Sequence, residues 1–129
     1  MKKTGTNIQS IKNAEEKLEI KFPECIVQAL LNKNGFYAEE FRFYCVLDDE
    51  DLYNTFDDIV RENTNSNSGW QKFLPKNYVA IADDGGQGCL ILNKNKDNIV
   101  YYFAINTKEI FVFAQTEEIL KKNLHFSNQ

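Results

Sequence analysis

Four short segments in Tyr78–Ala114 are rich in β-branched and aromatic residues, and they constrain the fold more than any other feature of the chain. They are separated by Gly, Asn, Asp and Lys, which are residue types that end strands and form turns. The connections, 83–88, 94–98 and 106–109, are too short for the crossover that joins parallel strands. The sequence therefore predicts an antiparallel meander here, covered by elements from the first half of the chain.

The first half of the chain has mainly helical periodicity. Apolar residues at helical spacing predict helices over 8–19 and 23–33, and a third over 50–62 with Leu52, Phe56, Ile59 and Val60 as its buried stripe. Glu40–Leu47 alternates in the manner of a strand. Asn63–Gly69 is too polar to pack and is predicted to be a loop. Thr116 is expected to cap a last helix over 116–123.

These elements together predict the fold class. We expect an α+β domain, a mainly antiparallel sheet with helices packed on one face, in a single unit over residues 1–129. No apolar run approaches the ~20 residues of a membrane span, and no apolar segment of a signal peptide follows the first lysines. The three cysteines have no paired spacing, which favours reduced thiols and a cytoplasmic location.

Negative charge is concentrated in residues 39–62. This segment holds nine acidic residues against two arginines, a net charge of −7, while the whole chain carries −4. Acids in the first turn of a helix stabilise it, so part of this excess could be a solvated helix face. One or two acids are enough to stabilise a helix start, and the larger number in this segment predicts a basic protein as partner, rather than nucleic acid or membrane.

Few residues suit catalysis or metal binding. The only histidine is His125, near the end of the sequence, which argues against a Ser–His or Cys–His mechanism. His and Cys clusters of the kind that bind metals are absent from the sequence, so we predict no enzyme activity, no cofactor and no metal.

Asp83-Asp84-Gly85-Gly86-Gln87-Gly88 lacks the lysine of a phosphate-binding loop and is predicted to be a tight turn. A small hydrolase that uses Asp83 or Asp84 is a weaker alternative.

The order of several motifs resembles the SUKH superfamily. Leu18-Glu-Ile-Lys-Phe-Pro-Glu24 and the helix end Leu30-Leu-Asn-Lys-Asn-Gly35 are similar to its opening signature. Phe73-Leu-Pro75, the strand and acidic turn 78–88 and Val100-Tyr-Tyr-Phe103 follow in the order expected for that superfamily. The resemblance covers about residues 6–123. Members include fungal cell-wall assembly regulators and bacterial toxin-immunity proteins.

This resemblance implies an α+β fold and a binding protein without catalysis. It favours a cytoplasmic immunity protein that neutralises a cognate toxin domain, with a regulatory protein-interaction scaffold as the alternative. A toxin that acts on nucleic acid must present a basic surface to phosphates. The predicted partner-binding residues are therefore acidic: Asp48, Asp49, Asp51, Asp57, Asp58, Asp83 and Asp84. The free protein is expected to be a monomer or a weak homodimer.

Overall fold

A six-stranded antiparallel sheet is the centre of the structure, and its strands lie in sequence order. The computed structural model describes residues 5–38, 40–48, 58–65 and 69–118, without the side chains of residues 96 and 97. The strands are β1 (Phe36–Ala38), β2 (Phe41–Phe43), β3 (Tyr78–Asp83), β4 (Gly88–Asn93), β5 (Lys96–Ala104) and β6 (Ile110–Gln115). The predicted meander is confirmed, because β3 to β6 pair consecutively and antiparallel.

The middle of the sheet is buried on both faces. Successive residues of a strand point to opposite faces, yet every residue of Val79–Ala82 and of Cys89–Leu92 is buried. One face receives Trp70, from a 3₁₀ helix at Trp70–Lys72, whose ring contacts Phe103 edge-on. At the sheet edge, β6 is less covered, and Phe111, Val112 and Phe113 are exposed.

Two helices precede the sheet where the sequence predicts them. Helix α1 (Ile8–Leu18) begins after Asn7, whose side chain accepts a hydrogen bond from the Ser10 backbone N–H. Such a cap satisfies one of the free amide groups at a helix start. Helix α2 (Glu24–Asn32) follows Pro23. Their apolar faces join the same core as the strands: Ile11, Ala14, Leu18, Ile26, Ala29 and Leu30.

The predicted third helix and first strand require correction. Helix α3 is Ile59–Thr64, and Asp58 precedes it in extended conformation as its cap, so the helix does not run through 58 as predicted. Leu52 and Phe56 lie outside the described residues. Glu40–Leu47 is predicted to be one strand, but strand β2 ends at Phe43. An additional strand, β1, pairs with β2. Beyond β2, the Tyr44 N–H still donates to the Ile81 carbonyl oxygen of β3, and Cys45 then pairs in parallel with Asp58.

Asn63 takes the place that a neighbouring strand would have beside β3. Its side-chain amide donates to the Ala80 carbonyl oxygen at 2.9 Å and accepts from the Ala80 N–H at 2.8 Å. It also donates to the Ile59 carbonyl oxygen, and its side chain is fully buried. The prediction that residue 63 belongs to an unpacked polar loop is therefore wrong. Residues 66–68 of that stretch lie outside the described ranges.

The predicted α+β class is confirmed. Residues 116–118 are helical, while the rest of the predicted last helix and His125 lie outside the described residues. Across the described ranges, no helix has the length and apolarity that crossing a membrane requires.

The cysteines differ in accessibility, and this gives a first testable prediction. All three are free thiols; Cys45 and Cys89 are buried and Cys25 is half-buried. Burial, with the charges of Asp83 and Asp84 as smaller causes, raises the pKa of the Cys89 thiol, and thiolates are the reactive form. A thiol reagent should thus modify Cys25 first in the native protein and all three after unfolding. Rapid native-state modification of Cys89 would contradict this arrangement.

Candidate functional site: an acidic cleft lined with aromatic rings

A cleft of about 610 Å³ lies where β1, β2, the turn after β3 and the 3₁₀ helix meet. Its aromatic lining residues are Tyr37, Trp70 and Phe73. Its charged lining residues, among those the structure describes, are Glu40, Glu62, Asp83 and Asp84 with Arg42. Ligand-binding clefts of proteins commonly have this size and combine aromatic surface with a few polar groups.

A chain of hydrogen bonds fixes one wall of the cleft. The Trp70 indole N–H donates to the Tyr44 hydroxyl at 2.8 Å, and that hydroxyl donates to Asp83 Oδ2 at 2.7 Å. Arg42 Nη2 donates to the same carboxylate oxygen at 3.0 Å, and its guanidinium lies 5.4 Å from the Tyr44 ring centre. The chain links the 3₁₀ helix to β2 and β3, so the Trp70 ring is held in a defined position.

The Tyr44 hydroxyl acts as a permanent donor in this chain. Burial of Tyr44 raises its pKa, and the adjacent Asp83 carboxylate raises it further because a phenolate there would face a like charge. The donated bond from Trp70 opposes this in part. Tyr44 therefore stays protonated at physiological pH, and the Asp83 carboxylate keeps its hydrogen-bond donor.

The acidic sequence Asp83–Gly88 is a turn, as predicted. Asp83 Oδ1 accepts from the Gly85 N–H, and Asp84 Oδ1 accepts from the N–H groups of Gln87 and Gly88. Gly85 and Gly86 have φ angles of +93° and +134°, where a side chain would be strained. The two carboxylates thus organise the backbone that forms one rim of the cleft.

Asp84 is also tied to the sheet by a tyrosine. The Tyr102 hydroxyl donates to Asp84 Oδ2 at 2.6 Å. Burial alone would raise the pKa of Asp84, but this hydroxyl and the N–H groups of the turn outweigh it and lower the pKa below its ordinary value. Burial and the bond to Asp84 raise the pKa of Tyr102 to about 12. The hydrogen bond therefore favours an ionised Asp84 carboxylate and a protonated Tyr102 hydroxyl.

We expect Asp84→Asn to destabilise the protein by about 1–2 kcal/mol near neutral pH, since bonds to a charged acceptor are stronger than neutral ones. A carboxylate with a lowered folded pKa stabilises the fold above its unfolded pKa and loses that contribution as the pH falls. The difference between wild type and variant should therefore be full above the ordinary pKa of an Asp side chain and shrink as the pH falls below it. Urea unfolding of wild type, Asp84→Asn, Tyr102→Phe and the double variant measures the coupling. Additive effects of the two substitutions would show that the pair is not coupled.

The structure places the predicted partner-binding residues in three groups. Asp48 is 1% exposed and accepts a hydrogen bond from the Thr6 hydroxyl, and Asp58 is 8% exposed and caps α3. Both carboxylates are used inside the fold and are little exposed, and contact of these two residues with a partner stays a prediction. Asp83 and Asp84 lie in the cleft wall. Asp49, Asp51 and Asp57 lie outside the described residues.

Sequence reasoning did not select the other cleft residues. Glu40 and Glu62 belong to the acidic segment 39–62, but they are more than twenty positions apart and nothing local distinguishes them from its other acids. Phe73 is 48% exposed and Tyr37 is 68% exposed. A large exposed aromatic side chain has no sequence signature that separates it from a core residue. The tertiary fold alone brings these groups to one cleft.

The chemistry of the cleft suits binding of cationic groups. Its lining supplies carboxylates, aromatic faces and a guanidinium that is already paired with Asp83. Within the described ranges, no three His, Cys, Asp or Glu side chains are close enough to hold a metal ion. Carboxylates attract cations by charge, and aromatic faces attract them through the ring quadrupole.

Comparison with known proteins gives the family. The sequence model of the SMI1 / KNR4 family (SUKH-1) matches residues 5–122. The chain belongs to this family. No curated protein matches it. At the family level, SUKH-1 membership supports a toxin-immunity or cell-wall regulatory role in which the protein binds a protein partner, and members are generally non-catalytic.

Proposed function

We propose that this SUKH-1 protein is a cytoplasmic immunity protein that binds a cognate toxin domain, of basic nuclease type, and blocks its activity. The observation that carries the proposal is the acidic cleft, with four carboxylates and one paired arginine in its described lining. A nuclease surface is rich in Lys and Arg because it holds phosphates. An acidic protein surface can occupy the same site and also accelerates encounter.

The proposed contact surface is the cleft with its acidic surroundings. Asp83 and Asp84 belong to its rim, and Glu40 and Glu62 extend it. Asp49, Asp51 and Asp57 remain proposed contacts on the segment between Asp48 and Asp58. Asp83 and Asp84 shape the rim through their bonds within the protein, and we propose that all four carboxylates of the lining face the partner.

The test is copurification from the native host, followed by a functional assay of the protein that is captured. We expect a stable complex with a protein that degrades DNA or RNA, and loss of that degradation when this chain is added in stoichiometric amount. Capture of a partner that is not toxic and has no inhibited activity would contradict the immunity proposal. It would favour the regulatory scaffold instead.

A control separates specific inhibition from charge. The acids of α1 are Glu15 and Glu16; neither is among the described lining residues of the cleft, and Glu16 is exposed. Glu16→Gln should inhibit the nuclease as well as wild type does. If an unrelated acidic protein of similar net charge inhibits equally, the inhibition is a general charge effect and the proposal fails.

A further inference from the structure

We propose that two exposed aromatic residues of the cleft, Tyr37 and Phe73, form an anchor site that buries one large apolar side chain of the partner, with basic residues of the partner on either side of it. For the nature of the partner, a basic protein, this inference rests on the proposed function. It assigns Tyr37 and Phe73 a direct role in binding. The carboxylates of the cleft supply attraction at longer range.

Strand register places Tyr37 on the same face of the sheet as the polar wall of the cleft. Tyr37 lies opposite Arg42 in the β1–β2 pair, and Arg42 lies opposite Asp83 in the β2–β3 pair. Residues that are opposite one another in neighbouring strands project from the same face. Two strands farther along this row is Phe103, whose ring contacts Trp70 edge-on at 6.4 Å. Tyr37 therefore lies at one end of a row of side chains that leads to Trp70.

Phe73 brings a second exposed ring to the cleft, directly after the 3₁₀ helix. Its ring centre lies 6.2 Å from that of Trp70, at an interplanar angle of 68°, so the two rings form a corner. The indole of Trp70 is held by its hydrogen bond to the Tyr44 hydroxyl. The corner is thus formed before a partner binds, and a preformed site loses less conformational entropy on binding.

The anchor residues expose much more apolar surface than core residues do. Tyr37 is 68% exposed and Phe73 is 48% exposed, and half-buried Trp70 and Ile105 line the cleft beside them. A single exposed aromatic residue is common and needs no explanation. Several in one concave site have the composition of the centre of a protein interface, where a few large aromatic residues carry most of the binding energy.

The charge around the anchor site selects the partner. The described lining has a net charge of −3, from Glu40, Glu62, Asp83 and Asp84 with Arg42. This net charge is the same however these groups pair within the protein. It attracts a basic surface and repels an acidic one. The side chain that enters the cleft is therefore apolar where it meets the rings, and its neighbours in the partner are lysines or arginines.

Trp70 is the sole tryptophan of the chain, so intrinsic fluorescence reports on the cleft directly. The probes are the capped tripeptides Lys-Phe-Lys, Lys-Ala-Lys and Glu-Phe-Glu, which change the apolar side chain and the flanking charges separately. We expect a saturable change in Trp70 emission with Lys-Phe-Lys. Each of the other two peptides should bind roughly tenfold more weakly or worse, because each lacks one of the two contributions.

Matched variants identify the anchor residues. Phe73→Ala and Tyr37→Ala should each weaken binding of Lys-Phe-Lys roughly fivefold or more. Phe111 is the control, because its ring is 52% exposed on β6 and it is not among the described lining residues. Phe111→Ala should leave the affinity within about twofold of wild type. Tyr37→Ala leaves the corner of Trp70 and Phe73 in place, and unfolding curves that match wild type establish that the variants are folded.

Three peptide results would overturn the inference: no saturable change with Lys-Phe-Lys, equal binding of Lys-Ala-Lys, or equal binding of Glu-Phe-Glu. It would also be overturned if neither Phe73→Ala nor Tyr37→Ala weakened binding, or if Phe111→Ala weakened it equally. A captured toxin that binds the two cleft variants as tightly as wild type leaves the immunity function intact and removes the anchor site. Peptide binding that depends on both rings, without an inhibited toxin, has the opposite meaning.

Discussion

Asn63→Ala should lower the free energy of unfolding by about 2–5 kcal/mol, the largest effect that we expect from a single polar substitution in this protein. The substitution removes both hydrogen bonds to Ala80 and the bond to Ile59. Ala80 is itself fully buried, and each buried polar group left without a partner costs about 1–3 kcal/mol. Urea unfolding at neutral pH measures the loss.

Asn34 provides a matched control for Asn63. Its side chain makes the same pair of bonds with the Val46 backbone, donating at 2.9 Å and accepting at 2.8 Å. Asn34 is only half-buried, so water can replace part of what Asn34→Ala removes. We expect a clearly smaller loss for Asn34→Ala. Equal effects at the two positions would mean that burial beside β3 is not what makes Asn63 important.

Asp83→Ala should destabilise the protein by about 2–3 kcal/mol and change the environment of Trp70. The buried Tyr44 hydroxyl would lose its acceptor, and a buried donor without a partner is costly. Because Trp70 donates to the same hydroxyl, its fluorescence and near-ultraviolet circular dichroism should shift in the folded variant. Arg42→Gln should cost less, about 1 kcal/mol or below, since the Arg42 side chain is partly exposed.

Tyr44→Phe tests which bond matters in this chain. It keeps the ring and removes the hydroxyl that joins Trp70 to Asp83. A loss of stability close to that of Asp83→Ala would assign most of the effect to the hydroxyl. If instead Arg42→Gln were as damaging as Asp83→Ala while Tyr44→Phe were mild, the ion pair would be the main contributor and this description of the wall would be wrong.

The strands of the meander could be predicted because local signals determine them. Residues 78–114 combine β-branched and aromatic segments with turn residues at short intervals, and short connections leave antiparallel pairing as the available arrangement. Helices α1 and α2 have apolar stripes and boundary residues of the usual kind. For these elements, local preference and tertiary packing agree.

The errors arose where a residue has a non-local partner. The alternation of Glu40–Leu47 continues past Phe43, but alternation does not specify which neighbour a strand pairs with. After Tyr44, whose N–H still donates to β3, Cys45 pairs with Asp58, the residue before α3. The polarity of residues 63–69 predicts a loop, and nothing in a polar stretch indicates that the side-chain amide of Asn63 will pair with the backbone of β3.

The sequence predicts the negative charge of the cleft and two of its residues, Asp83 and Asp84, but not the others. The excess of acids in 39–62 pointed to a basic partner, yet Asp48 and Asp58 from that segment proved to be internal. Acids near a helix start can serve either as caps or as contacts, and the sequence does not distinguish the two roles. Trp70, Phe73 and Tyr37 come from separate elements, so only the tertiary fold brings them together.

The affinity of the captured toxin for charge-reversed variants tests the central claim, that the partner binds at the acidic cleft. Glu40→Lys combined with Glu62→Lys should weaken binding roughly 100-fold or more, because like charges brought together at an interface cost several kcal/mol. Glu16→Lys, which reverses one exposed charge outside the described cleft lining, should weaken binding far less, because exposed charges outside an interface are screened by salt. Equal affinities of wild type and the Glu40→Lys/Glu62→Lys variant, with both folded, would contradict the claim.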